Sequence, residues 1–148
     1  PVEFLNMKRH YEVAFGEDVL KGLVFERRTL RPQCERELKG KLLLLRTGFL
    51  ETAGRAEELQ RLLAASITAF LSVFNALLHM QGKEAPRGRR EIVKAVAELY
   101  GIEPEPFLQC IDLREGKKDV PLAALKGTFR SYTAQIEKLI ADVDRLPA

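Results

Sequence analysis

Residues 56–80, AEELQRLLAASITAFLSVFNALLHM, decide the fold, because no residue between Arg61 and Lys83 carries a formal charge. Leu63, Ile67, Phe70, Phe74 and Leu77 recur at the spacing of one helical face, and Leu59, Leu62, Ala69, Val73, Ala76 and Met80 cover a second. A helix apolar nearly all round must be buried on several sides. Ala65, Ala69, Ser72 and Ala76 add a stripe of small residues along which a neighbouring backbone can approach. A membrane span is the rival reading, since the uncharged run reaches the ~20 residues needed to cross a bilayer. Ser66, Thr68, Ser72, Asn75 and His79 dilute its hydropathy, however, and no aromatic belt flanks it. The segment reads as the central helix of a soluble bundle.

A chain of 148 residues is one ordinary domain, long enough to close a core without staples. With 46% hydrophobic and 30% charged residues it is globular rather than disordered. Its net charge of +3 permits contact with phosphate without arguing for it. Cys34 and Cys110 stand alone at apolar positions of helical patterns, without a second cysteine or a histidine at metal-ligand spacing. They read as buried free thiols of a reducing compartment. With no apolar segment resembling a signal peptide at the start, a cytoplasmic location is expected.

Outward from the central helix, residues 30–52 form a helix with Pro32 in its first turn, where the missing N–H is not needed. Cys34, Leu38, Leu42, Leu45 and Phe49 make its core stripe. Glu35 with Lys39 and Glu37 with Lys41 are acid-before-base pairs on its outer side. Gly40, inside the helix, marks a tight helix crossing or a point of ligand approach. Gly54 ends this helix. Beyond a polar loop at 82–88, a third helix over 89–100 turns Ile92, Val93, Val96 and Leu99 inward and stops at Gly101. Pro104 and Pro106 introduce a short helix carrying Phe107, Leu108 and Ile111. A last long helix starts near Pro121, with Asp119 available to cap it, and Leu122, Leu125, Phe129, Tyr132, Ile136, Leu139 and Val143 hold its core face. Residues 1–28, with two short alternating runs at Val2–Met7 and Tyr11–Phe15, read as a β-like arm. The expected architecture is mainly α: an antiparallel four-helix bundle over 29–148 behind that arm.

Chemistry is harder to find. His10 and His79 lie in different elements, neither with a carboxylate at helical metal spacing. Asp142 and Asp144 point about 200° apart on a helix and cannot share an ion. The chain has no Gly-rich phosphate loop and no GxSxG nucleophile elbow. Lys83, Arg87, Arg89, Arg90 and Lys94 gather about the start of the third helix, a position that favours an anion or a solvated basic loop. Arg27, Arg28, Arg31 and Arg36 form a second basic group. Without interleaved exposed aromatics, nucleic-acid binding is not supported.

The stretch 86–117, PRGRREIVKAVAELYGIEPEPFLQCIDLREGK, together with the order of helices around it, resembles the HEPN-like helical substrate-binding domain that follows minimal nucleotidyltransferase domains. The opening VEFLNMKRHYEVAFGED is similar to the last strands of such a nucleotidyltransferase domain. The resemblance implies that Glu3 is the third metal-ligating carboxylate there, functional only with an intact nucleotidyltransferase domain. It also implies a nucleotidyltransferase partner, in cis or in trans, and a divalent metal and nucleotide held by that partner rather than by this chain. HEPN ribonucleases carry an Arg, four to six intervening residues, then a His on one bundle helix; neither histidine here has such an arginine. The Arg-Asn pair of familiar relatives is replaced by Arg114-Glu115.

The function expected is that of a non-catalytic substrate- or partner-binding module of a nucleotidyltransferase-like protein. Glu37, Lys41, Asn75, His79 and Arg114 are the candidates to line an inter-helix pocket, with Arg87, Arg89 and Arg90 on the phosphate side. The alternative is a structural homodimer joined through leftover apolar faces, with no small-molecule ligand.

Overall fold

The structure, a computed structural model, describes residues 27–117 and 119–146. Among these the chain is mainly helical, with α1 (Arg27–Glu51), α2 (Ala56–Met80), α3 (Arg89–Tyr100), α4 (Glu105–Arg114) and α5 (Leu122–Asp144). Arg27 and Arg28, placed by the sequence in the β-like arm, open α1 instead, while the rest of that arm and Glu3 lie outside the described residues.

The helix ends follow local chemistry. Thr52 Oγ1 donates to the Phe49 carbonyl at 2.6 Å, and Ala53 and Gly54 then take left-handed conformations that turn the chain from α1 into α2. Gly101, at φ 68° and ψ 31°, closes α3 as a left-handed C-cap. The expected Asp119 cap is not made: α5 has Pro121 at its N-cap and no side-chain capping bond, while Asp119 sits at φ 60° in the preceding loop.

Contacts between helices give their directions. Gly48 of α1 lies against Leu62 of α2, so the two helices pack together on either side of the turn. Phe49 stacks on Phe129 with ring centroids 4.2 Å apart, and Arg46 pairs with Glu137 further along, so α1 also opposes α5. Thr128 bonds Gln109, and Gln135 accepts from the Glu103 backbone, which sets α4 against α5. Gln81 after α2 reaches Tyr100 at the end of α3, so these two helices finish side by side. Loop 81–88 therefore carries the chain back along α2 before α3 begins, rather than making a tight reversal.

Helix α2 is the element the others surround, and it buries Leu59, Leu63, Ile67, Phe70, Leu71, Val73, Phe74, Ala76, Leu77, Leu78 and Met80. Full burial of each large side chain contributes about 1.5–3 kcal/mol. By length and composition it is apolar enough to cross a membrane, but half of its most apolar window is buried inside this fold. Phe74, Phe107, Tyr132 and Phe70 meet edge to face in sequence at its centre, with centroids 5.2–5.7 Å apart. Both cysteines are free and buried.

Gly40 is not the tight crossing expected of it. It is exposed, and a Cβ there would meet nothing within 4 Å. The close approach is two turns later, where a Cβ on Gly48 would come within 2.6 Å of Leu62 Cδ1. A glycine's position in a helix does not reveal which face it occupies against a partner, and only the α1–α2 register does.

Candidate functional site

The polar residues proposed to share a pocket fall into separate groups. On α1, Lys41 Nζ donates to Glu37 at 2.6 Å, and the two half-buried side chains are partners of each other. Asn75 is half-buried on α2, whereas His79, in the last turn, points to solvent. Arg114 is exposed at the far end of α4. Phe74 packs on Phe107, and Gln60 donates to the Lys117 carbonyl, so α4 runs back toward the start of α2. Arg114 therefore stands about 20 Å along the axis from His79 at 1.5 Å per residue.

The start of α3 is not a bare cationic site. Arg87 and Arg89 are exposed, but Arg90 reaches across to α4 and donates to Asp112 at 2.7 Å and Glu115 at 2.9 Å. These carboxylates, Asp112 foremost, raise the pKa of the guanidinium above its ordinary value. Glu91 folds back over the N-cap, where a Cβ on Gly88 would collide with its carboxylate. That places a negative side chain where the helix N-terminus would receive an anion. Arg90 and the helix N-terminus are thus both engaged from within the chain.

Among the described residues a polar cluster forms around Tyr132 in the core. Ser66 Oγ lies 2.9 Å from Tyr132 Oη and also donates to the Leu63 carbonyl at 2.8 Å, while Cys110 hydrogen-bonds the same tyrosine. Burial pushes the pKa of Tyr132 and of Cys110 well up, and takes the Cys34 thiol to about 12. Thiols held protonated in this way are poor nucleophiles, so the cluster organises packing rather than reaction. Among the described residues no group of three or more His, Cys, Asp and Glu side chains is placed to hold a metal ion.

The leftover apolar face, to which the sequence assigned no residues, lies on α1. Leu43, Leu44 and Leu50 on α1 are 66%, 72% and 78% exposed, the large hydrophobic side chains most open to solvent among the described residues. They lie off the stripe of Cys34, Leu38, Leu42 and Leu45 that faces the core. The periodicity of that stripe held the signal: once Leu42 and Leu45 are turned inward, Leu43 and Leu44 cannot follow. Leu50 also borders a cleft of about 200 Å³, lined by Phe49, Thr52, Ala53, Leu59, Leu122 and Lys126, that continues the apolar surface around the α1–α2 turn. Comparison with protein-family models, with curated proteins and with solved structures finds no match for this chain.

Proposed function

We propose that this chain is a non-catalytic helical module that works by binding a partner, with the outer side of α1 as its working surface. The observation that carries the reading is the grouping of Leu43, Leu44 and Leu50 on one exposed helical face. The dispersal of the polar candidates and the engagement of Arg90 by Asp112 and Glu115 support it further. The resemblance supplies a candidate partner, a nucleotidyltransferase domain in cis or in trans. A divalent metal and a nucleotide then belong to that domain, in a reducing, cytoplasmic setting suited to free thiols.

The test is turnover and ligand-dependent melting of the 148-residue chain with nucleoside triphosphates and Mg²⁺ or Mn²⁺. The expected result is no product and no saturable rise in Tm. Turnover, or a rise in Tm abolished by Lys41→Ala or Arg90→Ala, would move function to the polar residues and overturn the reading. A structural homodimer is the second reading, favoured by the exposed Arg36 and Glu51 at either end of the same face.

A further inference from the structure

The outer face of α1 carries more than leucine. At about 100° per residue, Arg36, Gly40, Leu43, Leu44, Thr47, Leu50 and Glu51 fall within roughly 120° of arc. Each is exposed or without contact to the core, and neither Arg36 nor Glu51 has an ion-pair partner among the described residues. Basic charge stands at one end of this face and acidic charge at the other, with leucines between.

That order is self-complementary. A second α1 laid antiparallel, with its two-fold axis between Leu43 and Leu44, sets Leu43 against the second copy's Leu44 and Gly40 against its Thr47. Arg36 then faces Glu51 of the second copy, and the same pair recurs across the axis, as an isologous contact requires. Gly40 fits this arrangement well: nothing lies within 4 Å of where its Cβ would be, so the missing side chain serves no contact within the chain. A helix interior ordinarily disfavours glycine by up to ~1 kcal/mol relative to alanine, and a close inter-chain crossing gives it a use. A heterologous partner would not need its charges arranged in mirror order about the leucines.

We infer that the occupant of this face is a second copy of this chain, docked antiparallel through α1 about Leu43 and Leu44, with Arg36 and Glu51 fixing the register. The inference rests on the association reading above and narrows it to a self-partner.

Sedimentation equilibrium of the full chain tests it. The mass rises with concentration from 16.8 kDa toward twice that value. Arg36→Glu and Glu51→Arg each weaken the dimer at least tenfold by setting like charges together, and the double exchange, which restores opposite charges across the axis, recovers most of the loss. Both positions are exposed, so circular dichroism of each variant should match the parent. A chain that stays monomeric throughout would overturn the self-partner while leaving association with another protein in place. A dimer indifferent to both single exchanges would overturn the α1 register. Nucleotide turnover, by contrast, would overturn the association reading itself.

Discussion

Ser66 Oγ and Tyr132 Oη sit 2.9 Å apart, joining the central helix to the last one through a large polar side chain that is fully buried in the core. The ring packs edge-on against both Phe70 and Phe107, so hydrogen bond and aromatic contacts specify the same position for α5. Tyr132→Phe keeps the rings and leaves Ser66 with its Leu63 carbonyl. It should cost about 1–2 kcal/mol. Tyr132→Ala removes the packing as well and should cost about 3–5 kcal/mol. Urea denaturation of the two variants checks both size and order.

The two glycines of α1 should respond differently to alanine. Gly40→Ala meets open space and gains helix propensity, which should stabilise the chain by about 0.5–1 kcal/mol. Gly48→Ala makes the same gain but must displace Leu62, whose Cδ1 lies 2.6 Å from the new Cβ, so its net effect should fall below that of Gly40→Ala. Equal effects, read as urea midpoints, would show that Leu62 gives way without cost. If α1 pairs with a second copy, Gly40→Ala should also weaken the dimer while stabilising the monomer.

Helix identity was legible because it rests on local signals. The 3- and 4-residue spacing of Leu63, Ile67, Phe70 and Phe74 and the glycine stop at Gly101 need no knowledge of neighbours, and the five helices appear close to where the pattern puts them. The partners of Arg90 and the role of Gly48 were not legible, since Asp112 and Leu62 are brought to them by the fold alone. The places of the candidate pocket residues were not legible for the same reason. Polarity at a helical position says that a side chain meets water or a partner, but not whether Arg114 and His79 end on the same side of the molecule. The run Leu42–Leu45 hid the exposed face by its uniformity.

Arg90 should act as a surface tie between α3 and α4. Its guanidinium bridges Asp112 and Glu115, but solvent reaches all three groups. Arg90→Ala should lower Tm by no more than a few degrees at low salt, and by less at 1 M salt, where the Debye length shrinks to ~3 Å. Melting curves at the two salt concentrations decide the matter; a large, salt-independent loss would show that Arg90 serves packing instead.

Stability should fall on the alkaline side. Burial holds Cys34 at about 12 and raises Cys110, so both thiols stay protonated in the fold. The unfolded chain releases those protons above about pH 8.5. The stabilisation is therefore fully present below that pH and is lost as the pH rises toward 12, by up to ~1.4 kcal/mol per pH unit for each thiol. Cys34→Ala should lower stability at pH 7 through lost packing yet flatten its decline between pH 9 and 11, as read by urea midpoints.

The most direct test of the account is the effect of Leu43→Glu and Leu50→Glu on two quantities measured together, the Tm of the dilute chain and its mass at high concentration. Both side chains are exposed, so Tm at low concentration should stay within about 2 °C of the parent while association is lost. If the substitutions unfold the chain, the leucines belong to its core. If association survives them unchanged, α1 is not the working surface.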